Sequence, residues 1–446
     1  MTDEIAESSV IPSPSRLPTT WTTLPLDDSD WFVPVGVAAF TGRKMYFSTG
    51  SIQPSAREPE GEFEFANRPT RANRMGRKWD VLQARMAGAN KAVIVDESLN
   101  NSLFSTGFMQ WRPPVAPETL GPWLFYAVQA PDFLAQRDRL ASGTTQVALN
   151  DGNLSKMTIP IAPLAEQHRI VEAIETRFAR LDAAVRALER ARANLKRYRA
   201  SVLAAVFGNE DAPMLPLSAL ADVRLGKMVS QRSRDQGLME MPYLRNENVQ
   251  WGRIDYADVK TMGFREDELA KYSLNPGDVL VCEGGHAGRT AIFAGQAGKM
   301  LFQKALHRVR PITTRLRPVY LRYYMEYEVA ARRVLPRLSE TTIQHLTLEK
   351  MKRLPVPAPP IELQDRSISF IEDALSISEQ VLSDVVKGLA RAESLRRSIL
   401  RCAFEGRLTP QNPNDEPASA LLERIKAAHQ SGSNPVRRGQ KILTAE

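Results

Sequence analysis

The side chains in this sequence best suited to chemistry are hydrogen-bonding and cationic, and they collect in short polar stretches. One half of the chain offers Lys227, Gln231, Arg232 and Arg234, then Arg245, Asn246, Asn248, Gln250 and Trp251, then His286 and Arg289, then Gln303 and Lys304. The other half bunches Arg68, Arg71, Arg74, Arg77 and Lys78, with Arg43 and Lys44 ahead of them. Arg, Lys, Asn and Gln make paired hydrogen bonds to guanine and adenine edges, and the cations also neutralise phosphates. Such residues are equally at home on any solvated loop. The basic bunch of the first half also stands beside an acidic run, Glu58, Glu60, Glu62 and Glu64, with which it could pair.

Catalytic patterns are missing. There is no GxxxxGK[ST] loop, and Gly284-Gly285-His286-Ala287-Gly288-Arg289 lacks the Lys-Ser/Thr ending and runs on into β-type residues, so it reads as a turn between strands. No Asn/Asp-Pro-Pro-aromatic tetrad, GxSxG or HExxH occurs, and Pro131-Asp132 lacks a downstream acid-x-Lys. The five histidines show no ligand spacing, and Cys282 and Cys402 form no CxxC pair, so no metal site and no disulfide framework is expected. A polar N-terminus and the lack of an apolar run of about 18 residues point to a protein of the cytoplasm.

The net charge of +8 favours an anionic partner, and its distribution is uneven. Residues 214–345 carry 20 Lys/Arg against 14 Asp/Glu, whereas residues 14–148 carry 14 against 13. The second block is therefore the more basic one.

The elements that must hold these loops repeat. Leu164 to Phe207 returns as Ile361 to Phe404 at a shift of 197 residues. Ahead of each, Asp80-Val81-Leu82 faces Asp278-Val279-Leu280, Leu103-Phe104 faces Leu301-Phe302, and Arg112-Pro113 faces Arg310-Pro311, all at a shift of 198. Leu17-Pro18 and Leu215-Pro216 share that shift and are expected to open the two blocks. In the repeated segments Ile174, Leu181, Leu188, Leu195 and Val202 fall seven apart, with Phe178 and Val185 between. The second copy offers Ile371, Leu375, Leu382, Val385, Leu389, Ala392 and Ile399. A 3.5-residue period means helices packed along a seam. Pro163 and Pro360 mark starts, and Gly208 and Gly406 mark stops. Forty-four residues at about 1.5 Å each give a rod of about 65 Å. The cheapest partner for one rod is the other, packed antiparallel. The second block reads as strands at Met241 to Tyr243, Val279 to Val281 and Thr290 to Phe293.

The expected fold is α+β, with two globular domains, two long antiparallel coiled-coil helices and a pseudo-twofold internal repeat. The expected boundaries are a disordered 1–14, a first head 15–150, a first spacer helix 151–208, a second head 209–347, a second spacer helix 348–408 and a tail 409–446 with a short helix.

The residues match a known family. Ile159-Pro160-Ile161-Ala162-Pro163-Leu164-Ala165-Glu166-Gln167, Leu181-Asp182 through Leu195-Lys196-Arg197-Tyr198-Arg199, Leu354-Pro355-Val356-Pro357, Phe404-Glu405-Gly406-Arg407-Leu408 and the tail Pro410 to Leu422 resemble the specificity subunit of type I restriction–modification systems. The resemblance covers about residues 15 to 426. It implies two target-recognition domains, each binding one unlike half of a split double-stranded DNA target. It also implies that the helices set the gap and dock two methylation subunits. Those partners would carry S-adenosylmethionine and methylate adenine N6, and a restriction subunit would bind ATP and Mg, so this chain is expected to need no cofactor and to be no enzyme itself. The other reading is a two-headed coiled-coil scaffold for protein ligands. One departure stands out: the second head has Pro276-Gly277-Asp278, whereas the first has Lys78-Trp79-Asp80, so its turn is expected to be built differently.

Overall fold

The structure is a computed structural model that describes residues 17–28, 30–53, 57–143, 147–208, 212–228, 238–331 and 345–432. Its helices are α1 (Pro117–Ala127), α2 (Pro131–Leu140), α3 (Leu164–Phe207), α4 (Glu266–Tyr272), α5 (Pro318–Ala330), α6 (Leu348–Lys352), α7 (Ile361–Phe404) and α8 (Ala418–Gly432). Two compact units share them. Unit 1 holds residues 1–186 and 389–446, and unit 2 holds residues 187–388, so the division cuts both long helices near their middles.

The long helices begin directly after Pro163 and Pro360, where a missing amide costs nothing. α7 stops at Gly406, whose φ of +70° is the left-handed cap that glycine accepts most readily; Arg407 N then reaches back to Cys402 O at 2.8 Å. Within each unit the two helices run antiparallel. In unit 1, Asp182 pairs with Arg396, whose guanidinium lies 4.3 Å from the Phe178 ring. In unit 2, Leu188 faces Gly388, Tyr198 Oη donates to Ala374 O at 3.1 Å, and Arg199 meets Glu379 at 3.1 Å.

The seam follows the expected residues with one exception. Ile174, Phe178, Val202, Ile371, Leu375, Val385 and Ala392 are buried. Leu181, Val185, Leu188, Leu195, Leu389 and Ile399 are half-buried, as two helices without a third can only partly cover each other. Leu382 is 39% exposed and does not belong to the seam. At that level the inner face of α7 is made by half-buried Ser378 and buried Val385 instead, so the next apolar residue in sequence points away.

The heads are related strand by strand. In unit 1, Val81–Ala84 lies between Ala92–Ile94 and Phe108–Trp111; in unit 2, Val279–Cys282 lies between Thr290–Ile292 and Leu306–Pro311. Both heads contain the same parallel pairing, Tyr46 with Leu103 and Phe47 with Phe104, then Tyr243 with Leu301 and Leu244 with Phe302. The opening of the heads corrects the sequence reading. Leu24 pairs with Ile159 and Leu215 with Val356, while Leu26 N reaches Met157 O just as Leu217 N reaches Leu354 O. The counterpart of Leu215-Pro216 is therefore Leu24-Pro25, not Leu17-Pro18. The earlier dipeptide lies before the first strand, and Trp21 that follows it donates through Nε1 to buried Glu166 at the start of α3 (2.9 Å).

Candidate nucleic-acid interface

Each head turns on a bidentate ion pair under its central strand. Asp80 is fully buried and takes Arg112 Nε at 2.7 Å and Nη2 at 2.6 Å; Asp278 takes Arg310 at 2.7 and 2.8 Å. The same carboxylates cap the turn before the strand, accepting from Arg77 N in unit 1 and Asn275 N in unit 2, both at 2.8 Å. The expected difference between these turns is not there. Trp79 N bonds Val95 O, Asp80 N bonds Arg77 O and Val95 N bonds Asp80 O; Gly277, Asp278, Asn275 and Phe293 repeat all three bonds. Trp79 adopts a φ of +72° where Gly277 has +89°. The turn is the same, built from a residue that resists it.

On this frame the candidate side chains separate into those that face solvent and those that hold loops together. In unit 1, Arg71, Arg77 and Lys78 are exposed, Lys78 beside Glu97 at 3.0 Å. Arg43 is exposed, donates to Glu62 O and stands 3.9 Å from the Glu62 carboxylate; Lys44 lies over the Phe40 ring. Arg68 closes its own loop on Phe65 O (2.7 Å) and Ala72 O (3.0 Å), stacked 4.1 Å from the Phe65 ring. Arg74 is a correction. It is 1% exposed, donates to Val33 O, and burial pushes its guanidinium down to about 10. It lies on the strand Ala72–Met75, where alternation sends it inwards.

In unit 2 the structure brings two loop groups together. Arg289 crosses from the Gly284–Arg289 turn to donate to Asn246 O at 2.7 Å, and so joins His286 to Arg245, Asn246 and Gln250. Gly285, at φ +71°, leaves its open side 3.6 Å from Asn246 Nδ2. His286 is exposed at the tip, and Arg245 is tied to Asp258, which Lys260 and Arg245 hold below the usual carboxylate range. Asn248 is the second correction: it is 2% exposed, caps Arg245 N and donates to Asp255 O and Asp258 O. The second group pairs Lys227 with Gln303 across a bridge and places exposed Lys304 beside them. Gly226 permits this, since a Cβ there would stand 2.2 Å from Gln303 O. Lys227 itself is bound to Glu268 and Gly263 O over the Phe264 ring. Gln231, Arg232 and Arg234 lie outside the described residues.

Sequence reasoning passed over Tyr256, 48% exposed, which follows Trp251, 42% exposed, in the sequence. The signal was an aromatic residue between turn residues, which stacking on bases would use. Among the described residues, no three His, Cys, Asp or Glu side chains are placed to hold a metal ion, and no helix is long and apolar enough to cross a membrane.

The family described as the type I restriction modification DNA specificity domain matches residues 80–190 and 210–385, so each match takes in one Asp–Arg frame. The chain belongs to this family. Among its relatives is the EcoKI specificity subunit of Escherichia coli K12, 26% identical over 377 residues that cover 78% of this chain and 80% of the relative. The StySPI specificity subunit of Salmonella potsdam is 25% identical over 374 residues, with the same coverage. A chain from a solved type I restriction–modification system, described for complex assembly and conformational transition, shares the fold at a TM-score of 0.69 and 22% identity, covering 88% of this chain and all of that one. In this specificity-family chain the frame is what repeats, and the loops above it differ.

Proposed function

We propose that this chain reads a bipartite double-stranded DNA target, one unlike word per head, as the specificity subunit of a type I restriction–modification complex. The observation that carries the proposal is the shared frame under unlike loops. The Asp80–Arg112 and Asp278–Arg310 frames and their turns coincide bond for bond, while Arg71, Arg77 and Lys78 in one head answer to a loop cluster around Asn246, His286 and Arg289 in the other. Equal scaffolds with different polar surfaces suit two different base sequences. The domain limits 15–150 and 209–347 are proposed for the two readers.

The same reading gives the long helices to the methylation subunits. α7 leaves Phe370 (53%), Ile377 (76%) and Val381 (40%) exposed on one face, which is an apolar surface of the kind protein interfaces bury. The methyl donor, ATP and Mg belong in this reading to those partners and to a restriction subunit. The test is to co-express the chain with its methylation subunit and map methylated adenines across a genome. Two unlike words at a fixed gap are expected, and exchanging the loops 245–250 and 284–289 for those of a relative should change one word only. Methylation by this chain alone, or a single unbroken word, would overturn the proposal.

A further inference from the structure

The second half of α3 presents a face that the head loops and the helix seam do not explain. Arg190, Arg192, Lys196 and Arg197 are all exposed within two turns, and Glu189 is the only acid between Ala187 and Tyr198. Among the described residues none of the four is in an ion pair; Arg197 donates to Asn194 Oδ1 at 2.6 Å and the others point to solvent. Leu188 and Leu195 take the opposite, inner side. Arg192 and Lys196, one turn apart, repel each other and so weaken the helix rather than support it. The fold does not require this arrangement, because the repeat-equivalent positions of α7 are Lys387, Leu389, Glu393 and Ser394.

We infer that this face is a further DNA contact, neutralising backbone phosphates in the stretch between the two recognised words. The inference rests on the reading of the chain as a bipartite DNA reader. Chemistry selects a polyanion over a protein. The exposed neighbours among these cations are Glu189, Ala193 and Asn194, one acid against four cations and no large apolar side chain, whereas a protein interface needs an apolar centre. In the same unit α7 does show such a centre, at Phe370 and Ile377. Three guanidiniums and one ammonium along about 10 Å of helix match the spacing of phosphates over about three base pairs, and guanidinium is the group best suited to bind them in pairs. Contacts of this kind carry no sequence information, so the gap can be of any sequence while still adding affinity.

The test uses the full complex with its methylation subunits on duplex containing both words, comparing wild type with Arg190→Gln, Arg192→Gln, Lys196→Gln and Arg197→Gln combined. Glutamine keeps the helix, which circular dichroism checks, and the single variant Lys196→Gln serves if the fourfold one misfolds. The plot of log affinity against log salt should become shallower by about two to four, at about 0.9 per phosphate, with the same adenines still methylated. Ethylating phosphates within the gap should weaken wild type and leave the variant unaffected. An unchanged slope, or indifference of wild type to gap ethylation, overturns the inference. So does loss of the methylation subunit from the variant, which would assign the face to protein. A wild-type complex that fails to bind the two-word duplex instead overturns the underlying reading.

Discussion

Trp79 holds a backbone conformation that costs a non-glycine residue about 1–2 kcal/mol, yet its turn makes every hydrogen bond made by the turn at Gly277. The indole is half-buried, with Trp79 Cβ near Gly121 of α1, so packing offsets the backbone cost. A sequence comparison sees glycine exchanged for tryptophan and expects another turn; the buried carboxylate of Asp80, with Arg112 and Arg77 N upon it, decides otherwise. His307 is the titrating counterpart of this buried chemistry. Its Nε2 meets Leu346 O at 2.6 Å, and burial pushes its imidazole down to about 4 from 6.5. The folded form is thus the neutral ring, and the unfolded chain takes up the proton first as pH falls. This contribution is whole above about pH 6.5 and drains away down to about pH 4, a loss of about 3 kcal/mol at about 1.4 per unit. Denaturant midpoints measured between those pH values should fall more steeply for wild type than for His307→Phe. Equal slopes would show that the ring does not sense the fold.

Among the elements, the repeated segments Leu164–Phe207 and Ile361–Phe404 were legible to the residue, whereas the wider spacer limits 151–208 and 348–408 take in a turn and strand before α3 (Asp151–Lys156, Thr158–Ile161) and α6 with a strand (Pro355–Pro357) before α7. Prolines before Leu164 and Ile361 and a seven-residue apolar spacing leave little freedom in where such helices lie. What spacing alone does not show is which of two adjacent apolar residues faces inwards once small residues intervene. Around Ser378 and Gly388 the helices come close enough that a Cβ on Gly388 would stand 3.0 Å from Leu188 Cδ1, and Leu382 is left outside. Val385→Ala should therefore cost about 1–2 kcal/mol in thermal or denaturant unfolding, whereas Leu382→Ala should stay within about 0.5. The reverse order would restore the simple heptad. The head strands were legible through Asp-Val-Leu, Leu-Phe and Arg-Pro, but Leu24-Pro25 was not, because a second Leu-Pro seven residues earlier fits the shift and only main-chain pairing separates them. Arg74 and Asn248 read as surface cations and amides by type; strand alternation and loop capping, which composition does not record, put them inside.

At the scale of the molecule, the division of the chain through the middle of both long helices makes unit 2 one continuous stretch, residues 187–388, and leaves unit 1 to be built from two separate stretches. Unit 1 needs residues from before Arg186 and after Leu389, and its core includes Ala418, Leu421 and Ile425 of α8 beside Trp123 and Phe404. The segments around Thr20 and Ala418 are thereby closed into one body: Ala418 N bonds Thr20 O, and Arg169 pairs with Asp415 at 2.5 Å. In the proposed reading this helix pair sets the gap between the two words. Removing Leu181–Ala187 from α3 together with the facing heptad Gly388–Ser394 of α7 keeps the antiparallel match and the phase of the seam, and shortens the rod by about 10 Å. At about 3.4 Å per base pair the complex should then select targets whose gap is about three base pairs shorter, with both words unchanged. Removing Leu181–Ala187 alone should instead break the pairing of Arg396 with Asp182 and cost assembly. Selecting bound sequences from a library with randomised gap length measures both outcomes, and retention of the original gap by the matched deletion would show that something other than these helices sets it.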